Sequence, residues 1–175
     1  VLIGNRGADL HLSSLRLDAQ GATPTGQHVQ AGVQQGETRT HGFFYRPLND
    51  SEGLLGLPVL GHGRPHDPRS AAPASASASV LFLRRQQNRF TLLGSLSAEA
   101  RPRVDDGCRA SCVDWYGNAR PIFLGDRVLA LMGYELVEGQ LPAQAGRGSP
   151  EKLVERRRLN FAPGRPASDR YSPFD

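Results

Sequence analysis

The sequence predicts an all-β protein, and three observations carry that prediction. Apolar residues come in short runs of four to eight, the length of strands. Glycine and proline are abundant, at 20 and 13 of 175 residues, and they punctuate those runs. No segment of helical length carries the i, i+3, i+4 apolar spacing with caps at both ends.

Taken in order, Val1 to Asn5 is short and apolar. Leu10 to Leu17 alternates at Leu10 and Leu12 and again at Leu15 and Leu17, and the change of phase at Ser13-Ser14 suggests a β-bulge. Gly42 to Arg46 holds Phe43, Phe44 and Tyr45. Leu54 to Leu60 is continuously apolar except for Gly56 and Pro58, and a proline there points to an edge position or a strand end. Val80 to Leu83, Phe90 to Leu96, Pro121 to Leu124 and Val128 to Leu131 complete the series. The best helical candidate is Pro150 to Leu159, with Ser149 as N-cap, but Leu153, Val154 and Leu159 make a thin apolar face. Ala19 to Thr40, Gly61 to Ser79 and the tail from Ala162 read as loops. The second of these is a Pro- and Ala-Ser-rich flexible segment.

The runs recur. Val1-Leu2 matches Val80-Leu81, Leu17 matches Leu96, and Phe43-Phe44 matches Ile122-Phe123, all at an offset of 79 residues. Leu54-Leu55-Gly56-Leu57 matches Val128-Leu129-Ala130-Leu131 at 74. Each unit reads as four strands, the pattern of a propeller blade. Two hairpin pairs in an ordinary sandwich are the plainer reading of the same pattern. The expected organisation is a first blade over 1–60, a flexible loop over 61–79, a second blade over 80–138 and a C-terminal extension over 139–175, largely irregular. The chain opens inside an apolar run with no initiator Met and no basic-then-apolar leader, so we expect a mature product or, preferably, a piece cut from a longer protein.

Charge and cysteine content bound the function. The net charge is +4, and Lys152 is the only lysine among 21 basic residues. Arginines scattered over loops are mostly solvated, and the one dense cluster, Arg156-Arg157-Arg158, has only Phe161 near it. Nucleic-acid binding needs cations interleaved with aromatics and is not favoured. No apolar run approaches the about 18 residues of a membrane span. Cys108 and Cys112, in Cys-Arg-Ala-Ser-Cys, allow a small-loop disulfide, two free thiols, or a metal or redox pair. The disulfide is preferred, because no further cysteine completes a zinc set and the spacing is not Cys-x-x-Cys.

Candidate chemistry is sparse. His41 precedes the aromatic strand and is a candidate binding residue, although a structural hydrogen bond is the plainer reading. His62 and His66 with Asp67 lie four apart, but Gly61, Gly63, Pro65 and Pro68 forbid the helix a zinc pair would need. Asp105, Asp106 and Asp114 lack the ladder of a calcium loop. No Gly-x-Ser-x-Gly or phosphate-binding loop is present, and Ser111 has no evident base. Trp115-Tyr116 is the only Trp-containing loop, a surface for a peptide or sugar if exposed, or a small local core over the cysteine pair. No catalytic residue, metal or cofactor is expected.

Three stretches carry a resemblance: His41-Gly42-Phe43-Phe44-Tyr45-Arg46-Pro47 with Gly53-Leu54-Leu55-Gly56-Leu57-Pro58-Val59, Val80-Leu81-Phe82-Leu83 with Phe90-Thr91-Leu92-Leu93-Gly94, and Arg120-Pro121-Ile122-Phe123-Leu124-Gly125-Asp126-Arg127-Val128-Leu129-Ala130-Leu131. Together they resemble the C-terminal blades of a bacterial and archaeal family of secreted β-propellers distantly related to WD40 repeats. The resemblance spans most of residues 1–138. It implies a β-propeller fragment of about two four-stranded antiparallel blades, a secreted or periplasmic location and no established reaction. The function then expected is a non-catalytic structural or interaction module. Its partners would be the remaining blades of a longer chain and a protein or carbohydrate ligand. A hydrolase completed by missing blades and an Arg-rich binder of nucleic acid or acidic polymer are the alternatives. A two-blade piece would leave an apolar face open and would not be a stable monomer.

Overall fold

The computed structural model describes residues 1–36, 43–61, 77–99, 119–125, 127–141 and 152–162. Twelve strands run through them and no helix does: β1 (Leu2–Arg6), β2 (Asp9–Asp18), β3 (Gly21–Gln30), β4 (Val33–Gln35), β5 (Phe44–Pro47), β6 (Glu52–Gly61), β7 (Ser77–Gln86), β8 (Arg89–Ser97), β9 (Ala119–Leu124), β10 (Arg127–Met132), β11 (Glu135–Gln140) and β12 (Val154–Asn160). All pairings are antiparallel. They form three open sheets: β1-β2-β3, then β6-β7-β8 with β4 and β5 one after the other along the same edge of β6, then β9-β10-β11-β12.

The sheets stack in chain order, and the alternation of side chains along the strands shows why. On β6, Leu55, Leu57 and Val59 point to one face, where they join Leu81 and Leu83 of β7 and Leu10 and Leu12 of β2. Leu54 points to the other face, where it joins Val80, Phe82, Leu93 and Leu96, and Val128, Ala130, Met132 and Val137 of the third sheet. The second sheet therefore has a core on each face, which is why β6 reads as a continuous apolar run rather than an alternating one. Gly56 lets β9 approach closely, since a Cβ there would lie 2.5 Å from Pro121 Cβ. Phe82 meets Phe123 edge to face across the same seam, with centroids 6.1 Å apart.

Several expectations are corrected. The four runs grouped as one unit fall in two sheets: β1 and β2 in the first, β5 and β6 in the second, and likewise β7 and β8 in the second, β9 and β10 in the third. Ala19 to Thr40 is not simply a loop, because it contains β3 and β4. The extension after residue 138 is not all irregular, because β12 pairs with β11. The residues of the helical candidate from Val154 on form that strand instead. Its polar residues suit an edge position, where one side of the strand needs no apolar cover.

Pro58 sits within β6, which is paired on both sides, but at the break between β4 and β5. Its carbonyl accepts Gly36 N at 3.0 Å, so its missing N–H would point to that same gap and no ladder bond is lost. The bulge expected near Ser13-Ser14 is present, with the β2–β3 register shifting between Ser14 and Leu15. Gly125, at φ 59°, turns β9 into β10 as the turn signal there predicts.

Candidate functional site

A half-open cleft of about 490 Å³ lies at one end of the seam between the first and second sheets. Its second-sheet wall is made by cross-strand register. Gly53 of β6 lies opposite Pro47 of β5 and Arg85 of β7. Having no side chain, Gly53 gives room to the Tyr45 ring, whose hydroxyl would lie 2.1 Å from a Cβ placed there. Tyr45 OH then accepts a hydrogen bond from Arg85 Nη1 at 2.9 Å. That bond fixes a long, otherwise mobile cation against the wall.

The first-sheet wall is made by the bulge. The register shift after Ser14 brings Ser14, Leu15 and Arg16 all into the lining, which a regular period-2 strand could not do. Thr25 of β3 donates to Ser14 O at 3.2 Å and holds the bulge in place. Ser14 is 5% exposed, and its Oγ has no hydrogen-bond partner among the described residues. Asn88 enters from the β7–β8 hairpin, whose other turn residue, Gln87, has a left-handed φ of 51°. The hairpin is pressed on the first sheet: a Cβ on Gly26 would meet Asn88 O at 1.7 Å. Phe43 adds an aromatic wall.

The electrostatics of the cleft are one-sided. Among the described residues Arg16, Arg85 and the N-terminal Val1 line it, and no carboxylate side chain does. Arg16 has a loose partner in Asp18, at 3.8 Å, with its side chain 70% exposed. The other ion pairs are structural. Glu52 and Arg84 form a largely buried pair at 3.4 Å. Glu135, 5% exposed, accepts from Arg158 Nη1 at 2.7 Å and from the backbone N–H of Glu99 at 3.0 Å, tying the second sheet to the third. On the outer face of the third sheet Arg127 donates to Glu138 through two bonds and holds that carboxyl below the usual glutamate range.

His41, Trp115, Tyr116 and the Cys108 and Cys112 pair lie outside the described residues, as do His62, His66, Asp67, Asp105, Asp106, Ser111 and Asp114. The residues that build the cleft were missed, although Tyr45 was read as part of an aromatic strand and the bulge was legible. Arg85 had no signal, because its neighbours are set by strand register, which the sequence does not display. Among the described residues no group of three or more His, Cys, Asp or Glu side chains could hold a metal, and no helix is long and apolar enough to cross a membrane. The protein is thus an all-β, antiparallel stack of sheets. No family model, curated protein or solved structure matches the chain.

Proposed function

We propose that this chain is a non-catalytic interaction module built from stacked blades of a secreted β-propeller, and that the seams between blades are where it holds its ligands. The observation that carries this reading is the five-stranded second sheet, in which the meander β5 to β8, with β4 on the same edge of β6 as β5, has an apolar core on each face. A two-layer sandwich buries one face of each sheet, whereas a blade within a propeller buries both. On this reading β9 to β12 form the next blade and β1 to β3 belong to the preceding one. The blade phase is then two strands away from the one the apolar runs suggest. The cleft lining sets guanidiniums, hydroxyls, an amide and aromatic rings beside the aliphatic Val1 and Leu15, which suits holding a ligand.

The Arg156-Arg157-Arg158 cluster fits a structural role better than a stripe for nucleic acid. Arg156 donates to Gln140, and Arg158 is engaged by Glu135 and Glu155. Arg157 lies opposite Glu138 across the β11–β12 pair.

The outer face of the third sheet supports continuation of the stack. Register puts Ile122, Leu124, Leu129, Leu131, Leu136 and Leu159 on that face; Leu124 and Leu159 are each 59% exposed, Ile122, Leu131 and Leu136 are half-buried and Leu129 is buried. Another sheet of the same kind is the occupant this reading expects. Sedimentation velocity tests it. The isolated chain should self-associate reversibly, and the double variant Leu124→Glu/Leu159→Glu should be monomeric with an unchanged strand spectrum. A chain that is monomeric at all concentrations contradicts the reading. The extracytoplasmic location is tested separately, by counting thiols on unfolded protein made under oxidising conditions. Thiols of Cys108 and Cys112 that appear only after reduction support it, and two free thiols count against it.

A further inference from the structure

We infer that Asn49 is an acceptor for N-linked glycosylation, taking an oligosaccharide from a polyisoprenyl-diphosphate donor. Its use in the cell rests on the extracytoplasmic location proposed above. The site itself needs neither the cleft nor the number of blades.

Sequence and fold together single out this asparagine. Asn49-Asp50-Ser51 is the only Asn-x-Ser/Thr triplet in the chain, the spacing at which an asparagine amide and a hydroxyl are recognised together. Leu48 to Ser51 connect β5 to β6, and every residue of the connection is exposed. The turn is shaped by its own backbone, with Leu48 N and Asn49 N donating to Glu52 O at 2.9 and 3.2 Å. Gln87 N of the β7–β8 hairpin donates to Ser51 O at 2.6 Å and braces the turn from one side.

The side chains of the triplet suit the reaction. Asn49 Oδ1 accepts hydrogen bonds from Ser51 N at 2.9 Å and from Ser51 Oγ at 3.0 Å. A backbone N–H can only donate, so the amide oxygen and not the nitrogen faces Ser51. Nδ2 has no acceptor among the described residues. An amide nitrogen is a poor nucleophile, because its lone pair is shared with the carbonyl. Two donors on Oδ1 stabilise negative charge there and make an Nδ2 proton easier to remove. In the transfer Nδ2 attacks the anomeric carbon of the first sugar. The bond from Nδ2 to that carbon forms, and the bond from the carbon to the diphosphate oxygen breaks. The polyisoprenyl diphosphate leaves with the electron pair, and one Nδ2 proton passes to a base of the transferase. Asparagine and serine also build turns of this kind with no further role. Asn49→Asp separates the two cases, because it keeps the oxygen that accepts from Ser51 and removes the nitrogen. A glycan is bulky and hydrated, so this end of the second sheet, with the β7–β8 tip beside it, would face solvent in the assembled protein and leave the sheet faces to partners.

The test is incubation of the purified, folded chain with an oligosaccharyltransferase and dolichyl-diphosphate-linked chitobiose, read by intact-mass and fragmentation mass spectrometry. The inference expects a single chitobiosyl group, on Asn49. Asn49→Asp should take none while keeping the strand spectrum and the melting temperature. Ser51→Ala should lower the yield by about tenfold, and Ser51→Thr, which restores the hydroxyl, should match the unaltered chain. A folded chain that stays unmodified while an unstructured acceptor peptide in the same mixture is glycosylated would overturn the inference. Modification at another asparagine, or a yield indifferent to Ser51→Ala, would overturn it as well. The thiol count keeps the two readings apart. Modification of Asn49 in a chain whose Cys108 and Cys112 stay free sinks the extracytoplasmic location and leaves the acceptor site standing. A disulfide-bonded chain that takes no sugar does the reverse.

Discussion

Replacing Gly56 with alanine should force the second and third sheets apart. The new Cβ would stand 2.5 Å from Pro121 Cβ, 2.8 Å from its Cγ and 3.4 Å from Phe123 Cζ. Carbon pairs sit best at about 3.5–4.0 Å, so the seam must open by roughly 1 Å or shift sideways. Pro121 cannot yield by changing rotamer, because its ring is closed and the residue is fully buried. Overpacking of this kind costs about 1–3 kcal/mol, or roughly 3–10 °C in melting temperature for a chain of this length. Thermal unfolding followed by far-UV circular dichroism measures it. Gly4→Ala is the control: nothing lies within 4 Å of a Cβ there, and the change should stay within about 0.5 kcal/mol. Combining Gly56→Ala with Pro121→Gly should recover part of the loss, because Pro121→Gly removes both the Cβ and the Cγ that the new methyl meets. If Gly56→Ala is as harmless as Gly4→Ala, or if the two changes simply add, the close seam between these sheets is wrong.

Three further outcomes follow from single residues. Gln87→Gly should raise stability by about 0.5–1 kcal/mol, because φ at 51° strains any residue with a Cβ; a fall in the chemical-denaturation midpoint would count against it. Arg158→Ala should cost about 1–3 kcal/mol by removing a charged hydrogen bond to the buried Glu135, whereas Arg127→Ala, at a more exposed pair, should cost less, within about 1 kcal/mol; equal losses in urea titrations would refute the distinction. Glu138 should titrate below the ordinary glutamate range by NMR and return towards it in Arg127→Gln. Its folded-state value is depressed, so its contribution to stability is present above the unfolded value and lost as pH falls through the folded one.

The legible part of the fold was the apolar part. β6, β7 and β8 announce themselves because they are buried on one or both faces, and the bulge in β2 shows as a broken alternation. The polar strands were invisible. β3, Gly-Ala-Thr-Pro-Thr-Gly-Gln-His-Val-Gln, has hardly an apolar side chain, because it lies at the edge of an outer sheet. β12 carries Arg156-Arg157-Arg158, whose spacing alone gives no sign that Arg158 reaches a buried Glu135. With β3, β4, β11 and β12 unread, the visible runs were grouped across sheet boundaries and the blade phase slipped. The cleft was hidden for a related reason. Tyr45, Gly53 and Arg85 lie up to 40 positions apart in sequence and meet only through strand register, and Leu15 and Arg16 join Ser14 in the lining only because the register shifts after it.

The stack itself is tested most directly on two consecutive residues of β7. Phe82, 1% exposed, faces the third sheet, and Leu83, 0% exposed, faces the first. Urea denaturation of Phe82→Ala and Leu83→Ala should show losses of about 3–5 and 2–5 kcal/mol respectively, both large. Neighbours on a strand point to opposite faces, so in a two-layer protein one of them would face solvent. If either substitution costs less than about 0.5 kcal/mol, the second sheet is not buried on both sides and the account fails.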